Sequence, residues 1–178
     1  EITYGDWGSD VCSSDLLVVC PWQPEEDATI APRPDGTYDL TVPTEFVYAF
    51  GQWHTHTIVA TNVGRVLRWD GQRWSVLREP VPNVSYQMYA ALNYYDKLLL
   101  GHYPTGEIYE YAGEDLNLLK GWPPAIPGVS PHAREAQSLA VYGGDLYVGV
   151  WPWGEGWRYA ADQSAWQFVQ RMFTHPRS

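Results

Sequence analysis

The chain has 178 residues, with 21 Asp+Glu against 11 Lys+Arg, so its formal charge is −10. That balance argues against a surface that tracks nucleic-acid phosphates, because such binding uses Lys and Arg to displace condensed counterions. Hydrophobic residues make up 45% of the chain, enough for a sizeable core, yet the apolar run at residues 16–20 is far short of the ~18 residues of a membrane span. The aromatic content of 15%, mostly Trp and Tyr, suits β-rich packing.

Residues 10–16 read DVCSSDL, and with Asp6-Trp7 upstream in the same frame they resemble a translated sequencing adapter, in which Ser would stand in place of Gly8. Residues 1–16 are therefore read as an artefactual or disordered leader. They hold four acids (Glu1, Asp6, Asp10, Asp15) and no base, so the charge of the remaining chain is −6. Cys12 goes with them, and Cys20 alone makes neither an internal disulfide nor a cysteine zinc site. Residues 17–43 read as a linker or a blade remnant, Pro, Asp and Glu rich from 23 onward, with a short strand expected at 37–42.

The rest of the chain aligns with itself. Residues 64–71 (GRVLRWDG), 106–113 (GEIYEYAG) and 154–161 (GEGWRYAA) match at offsets of 42 and 48. Upstream, residues 98–101 align with 146–149, and 102–106 with 150–154. A period of about 40 to 50 residues with alternating β-branched and aromatic positions marks a propeller blade of four antiparallel strands. The blades are expected over about 44–80, 86–120 and 134–173. The first carries the turn Asp70-Gly71 and the second the turns Tyr95-Asp96 and 112–114. The third spells out strands 137–142, 146–150, 156–160 and 166–172 around turn 143–145, loop 151–153 and turn 162–164. Strands such as 66–69 and 98–100 are not cleanly amphipathic, as expected where neighbouring blades cover both faces of a sheet. The longer second interval comes from residues 121–132 (GWPPAIPGVSPH), whose prolines require a loop.

Tyr159, Trp166 and Met172 have the spacing with which kelch blades end, and the third copy resembles kelch-type propeller repeats. Single Gly101 and Gly149 stand where those repeats have Gly-Gly, and Gly143-Gly144 lies one turn earlier. Asp70-Gly71 followed by Trp74 is similar to the Asp-box of sialidase-like propellers, with Arg68 and Gln72 in place of the box's Ser or Thr and its Gly. The resemblance covers roughly residues 44–173 and implies a fold, not an activity. The expected fold is an all-β propeller of about three four-stranded antiparallel blades, an incomplete arc of a larger propeller rather than a four-bladed ring. Exposed blade edges would invite self-association.

Up-and-down connectivity gathers the turns between strands one and two, and three and four, at one end, and the remaining loops at the other. The second end carries the longer loops and is the candidate for function. There Tyr103, Trp122, Trp151 and Trp153 are candidates to stack on sugar rings, with Gln87, His102, Arg134, Glu135 and Gln137 as hydrogen-bonding groups. Trp69, Trp74, Tyr111, Tyr159 and Trp166 are assigned to packing, and Glu107, Glu110, Arg65, Arg68, Glu155 and Arg158 to cross-blade salt bridges or solvated edges. His54 and His56 have strand-compatible spacing, but the topology sends His102 to the opposite end, so no metal site is expected. The sequence has no nucleotide-binding Gly loop and no serine-nucleophile elbow, and no cofactor is expected. The expectation is a non-catalytic recognition module that binds a carbohydrate or protein, in an extracellular or cell-envelope setting, without nucleic acid and without membrane insertion. The alternatives are part of a sialidase-like glycoside hydrolase or lyase, which the resemblance implies through Glu135 and the Asp-box-like turn, and a structural scaffold.

Overall fold

The computed structural model describes Pro34 and residues 45–81, 87–130 and 133–175. The chain divides into Glu1–Thr44 and Glu45–Ser178, and every strand described belongs to the second unit. The short strand expected at 37–42 lies outside the described residues.

Among the described residues twelve strands form three four-stranded meanders. Blade 1 contains β1 (Val47–Trp53), β2 (His56–Thr61), β3 (Val66–Trp69) and β4 (Trp74–Arg78). Blade 2 contains β5 (Met88–Tyr94), β6 (Lys97–His102), β7 (Ile108–Tyr111) and β8 (Leu116–Leu118). Blade 3 contains β9 (Glu135–Tyr142), β10 (Asp145–Trp151), β11 (Glu155–Ala160) and β12 (Ala165–Arg171). Neighbouring strands are antiparallel in strict chain order, as short turns between strands of matched length require. The first strands lie side by side, β1 against β5 and β5 against β9, which places them about a shared axis. The described residues are thus all-β and build an incomplete propeller arc; they contain no fourth blade and close no ring. Among them no helix is long and apolar enough to cross a membrane.

The copies share details that sequence offsets only hint at. Each first strand carries a β-bulge against its neighbour, and the extra residue is Tyr48, Tyr89 or Gln137. Each hairpin then turns through a residue with positive φ at the same place: His54 and Tyr95 at 50° and Gly143 at 60°. After the second strand, Gly64, Gly106 and Gly154 adopt φ values of 81°, 70° and 63°, a region in which a side chain is strained. At Gly106 a Cβ would also lie 2.8 Å from the Cβ of Arg134. The recurring Gly of the three aligned segments is therefore a backbone requirement. In β9 the register extends two residues upstream of the expected strand start, taking in Glu135 and Ala136.

Packing follows from blade position. β6 lies between blades 1 and 3, and its side chains divide between two cores. Leu98 and Leu100 pack with Ile58, Ala60 and Val66 of blade 1, while Leu99 packs with Leu146, Val148 and Val150 of blade 3. All three leucines are buried, so the strand shows no polar face. β10, by contrast, alternates: Leu146, Val148 and Val150 are buried towards blade 2, and Tyr147, Gly149 and Trp151 are half-buried. The outer strand β12 ends in exposed residues, among them Phe168 and Val169. Trp69 rests on Trp74 with ring centroids 5.5 Å apart, and Tyr159 on Trp166 at 5.1 Å.

The charges at repeat positions correct one expectation. Glu110 and Arg158 do not bridge blades; each closes a pair within its own sheet, Lys97 Nζ to Glu110 at 2.7 Å and Arg158 Nε to Asp145 at 2.7 Å. Blade-to-blade polar contacts use backbone carbonyls as well as the side-chain pairs His54 with Asp96 and His56 with Tyr111. Trp53 Nε1 donates to Asp96 O at 3.0 Å, and at the equivalent positions one blade on, the Tyr94 hydroxyl donates to Gly144 O at 3.1 Å. Arg68 also reaches across, Nη1 donating to Gly113 O at 3.3 Å.

Candidate functional site

The loop-rich end is shaped by the start of each first strand and the loop after each second strand. Backbone pairing fixes the equivalences. Asn62 N donates to Phe46 O and Tyr103 N to Gln87 O, both at 3.0 Å, and Trp151 pairs with Glu135. Gln87 and Glu135 thus hold one position of the repeat, and Tyr103 and Trp151 another. Together with Tyr89 these four line an open cleft of about 500 Å³ between blades 2 and 3.

Both walls are aromatic. The Tyr103 and Trp151 rings lie 6.2 Å apart at 59°. Tyr89 is aimed here by the bulge of β5, since an extra residue in one strand rotates its side chain out of the regular alternation. Its hydroxyl donates to Gln87 Oε1 at 3.0 Å. Burial, with the neighbouring Tyr48 hydroxyl and the charge of Glu135, pushes the Tyr89 phenol up to about 12, so it stays protonated. Tyr48, at the same bulge position of blade 1, packs on Tyr89 at 4.8 Å, and Phe46 packs on Tyr48 at 5.3 Å. Phe46, Tyr48 and Tyr89 are all exposed and form an aromatic ledge leading to the cleft.

The polar group of interest is Glu135. It is 5% exposed, and Oε1 has no hydrogen-bond donor among the described residues. Burial raises its carboxyl above the usual range, because the charged form has lost water without gaining a counter-charge. The adjacent cation does not serve it. Arg134 Nε and Nη2 donate to Glu155 Oε1 and Oε2 at 3.2 and 2.6 Å, and Nη1 donates to Pro124 O at 3.0 Å. Trp157 Nε1 adds a third donor to Glu155, at 2.8 Å.

Of the nine residues singled out from the sequence, the structure brings Gln87, Tyr103, Glu135 and Trp151 together at the cleft. The other five lie elsewhere. Arg134 is buried in its pair with Glu155. Trp122 is buried between blades 2 and 3, with Nε1 donating to Gly106 O at 2.6 Å and its ring 4.4 Å from that of Trp166. Trp153 is half-buried beneath the Arg171 guanidinium, 5.6 Å away. Gln137 is the exposed bulge residue of β9. His102 is 1% exposed and burial, with the charge of Arg78, lowers its imidazole to about 4. Its tautomer follows from its neighbours. Thr105 Oγ1 spends its only proton on Glu107 Oε2, so His102 Nδ1 must donate to Thr105 Oγ1, 2.9 Å away. Nε2 is then an acceptor, with no partner among the described residues.

Tyr89 was not visible as a site residue from spacing alone. Its signal was the match of Tyr48 with Tyr89 just before small residues, which marks a bulge only once the register is known. His54 and His56 both pack on Trp53 but serve different partners. His54 pairs with Asp96 at 2.7 Å, and His56 with the Tyr111 hydroxyl at 2.7 Å. Among the described residues no three His, Cys, Asp or Glu are grouped to hold a metal ion. The Asp-box-like turn is an Asx turn, in which Asp70 Oδ1 accepts from the Gln72 and Arg73 amides, both at 2.9 Å. Those bonds hold its carboxyl below the usual range. A second cavity of about 290 Å³ lies towards the tight-turn end, walled by Tyr94, Leu99, Leu146, Tyr159 and Trp166, where Lys97 and Glu110 already satisfy each other. The chain matches no protein-family model and no curated protein.

Proposed function

We propose that the protein is a recognition module that binds a carbohydrate in the cleft between blades 2 and 3. The observation that carries this reading is the placement of two rings, Tyr103 and Trp151, and two hydrogen-bonding side chains, Gln87 and Glu135, at equivalent positions of adjacent blades around one open cavity. A sugar has an apolar C–H face that packs on aromatic rings and a rim of hydroxyls that needs buried acceptors and donors. The ledge of Phe46, Tyr48 and Tyr89 extends the aromatic surface beyond a single ring, which suits an oligosaccharide. Binding needs only what the cleft holds, whereas hydrolysis by paired carboxylates calls for a second carboxyl beside Glu135.

A glycan array followed by calorimetric titration of the best ligand tests the proposal. Trp151→Ala and Tyr103→Ala are expected to weaken binding about tenfold or more each, by removing a stacking surface worth ~1.5 kcal/mol. Trp153→Ala, on the far side of the loop, is expected to change affinity less than twofold. Absence of any glycan ligand, or loss of binding only with Trp153→Ala, overturns the reading.

A further inference from the structure

The cleft has a feature that a neutral sugar does not answer. Glu135 is its carboxyl group, almost wholly buried, with one oxygen lacking a donor among the described residues. The guanidinium of the adjacent Arg134 is held by two bonds to Glu155 and one to Pro124 O, so it cannot turn to Glu135 without breaking a buried ion pair. A carboxylate in that state is completed by a ligand that brings both an N–H donor and a positive charge. The walls agree with this. Trp151, Tyr103 and Tyr89 line the same cleft as the carboxyl, and ring faces attract cations through their quadrupole, most strongly where water is excluded. The net negative charge, −6 even without residues 1–16, adds a long-range field that draws cations to the protein.

We infer that the cleft selects a sugar bearing a free protonated amine, with the ammonium group on Glu135 and between the Tyr103, Trp151 and Tyr89 rings. The inference rests on the carbohydrate reading above and names its substrate class: amino sugars in preference to their N-acetylated counterparts. Acetylation keeps one N–H but removes the charge, so it leaves the carboxylate without a counter-ion and cancels the ring attraction. A hydroxyl in the same place donates a hydrogen bond and likewise brings no charge.

The test is calorimetric titration of the whole chain with the tetramer of glucosamine and, separately, the tetramer of N-acetylglucosamine, at about pH 6, where the sugar amine is protonated. The amine form is expected to bind about tenfold more tightly or better, the difference a charge-assisted hydrogen bond makes over a neutral one. Glu135→Gln is expected to bring the two ligands within about threefold of each other, whereas Trp151→Ala weakens both and keeps their order. Should Glu135→Gln not fold, salt supplies the second reading. Affinity for the amine tetramer must fall as NaCl rises through the range that screens a charge pair, while affinity for the acetylated tetramer stays level. Equal binding of the two tetramers by the unsubstituted protein overturns the amine inference and leaves the carbohydrate reading standing. Binding of neither tetramer, with no other glycan captured, removes both.

Discussion

Blades 1 and 3 hold an ion pair at the same two positions of the repeat, with the charges exchanged. In blade 1, Glu45 precedes the first strand and accepts from Arg65, the residue after Gly64, at 2.9 Å. In blade 3, Arg134 precedes the first strand and donates to Glu155, the residue after Gly154. The pair that spans β6 and β7 inverts likewise: Lys97 to Glu110 in blade 2 becomes Asp145 to Arg158 in blade 3. In each of these pairs two copies keep complementarity across the positions rather than residue identity, while blade 1 carries His56 and Arg68 at the second pair. A residue-by-residue alignment of the copies sees mismatched charges there, and for that reason Arg65, Glu110, Glu155 and Arg158 read as cross-blade salt bridges or solvated edges in the sequence.

The two versions of the first pair differ in burial, and the largest expected effects come from that. Arg134 and Glu155 are 3% and 0% exposed at the side chain, whereas Arg65 and Glu45 are 29% and 30% exposed, and Arg65 also reaches Glu79. Glu155→Gln leaves a guanidinium buried without its counter-charge and is expected to cost about 3–5 kcal/mol in urea unfolding. Glu45→Gln, where water and Glu79 remain, should cost about 1 kcal/mol or less. Exchanging the blade 3 charges, Arg134→Glu with Glu155→Arg, reproduces the blade 1 arrangement and should recover more than half of the loss. A Glu155→Gln cost no larger than that of Glu45→Gln would show that burial is not what separates the two pairs.

The position occupied by Thr61, His102 and Val150 gives the next effect. The three pair equivalently at the end of the second strand, but only His102 carries a titratable side chain. Burial lowers its pKa from 6.5 to about 4. Between those values the unfolded chain binds a proton that the folded chain does not, so stability is full above about pH 6.5 and falls as the pH drops towards 4. The fall is on the order of 3 kcal/mol. His102→Val, which installs the residue of blade 3, should flatten the stability profile in that window; an unchanged profile would assign the acid sensitivity elsewhere. Glu135 works with the opposite sign. Its raised pKa means that the folded state holds the extra proton, so stability is lost as pH rises through its titration. Glu135→Gln should therefore raise the melting temperature at pH 7, by less than the change that His102 produces, as expected of a group kept for binding rather than for stability.

The fold was largely legible because it is written in backbone requirements. Gly64, Gly106 and Gly154 recur because the chain takes positive φ there, and the prolines of 121–132 forbid a strand. The site was half legible for a reason of the same kind. Topology places a loop at one end of the arc, so Tyr103 and Trp151 could be placed together from connectivity alone. It does not say which side of the loop a residue takes. Trp151 and Trp153 are two residues apart, yet one lines the cleft and the other packs under Arg171. Trp122 and Arg134 are sequence candidates at the loop-rich end, but the Trp122 indole bonds Gly106 O, 16 residues away, and the Arg134 guanidinium bonds Glu155 and Pro124 O, 21 and 10 residues away. Such pairings are invisible until the two segments are folded together.

The smallest expected effect bears on the free side of blade 3. The residue that ends the first strand is Trp53 in blade 1, Tyr94 in blade 2 and Tyr142 in blade 3, and the first two donate to the turn carbonyl of the blade that follows. Tyr142 is 78% exposed, with its ring 6.5 Å from that of Tyr147. Removing the hydroxyl by Tyr94→Phe should cost about 1 kcal/mol, the net worth of one hydrogen bond. Tyr142→Phe should cost nothing measurable if that side of the blade faces solvent. The comparison is best made by denaturant unfolding at several protein concentrations. A loss for Tyr142→Phe that matches Tyr94→Phe and grows with concentration would mean that the third position of the series has found its carbonyl on another molecule, with the blade interface continuing from one chain to the next.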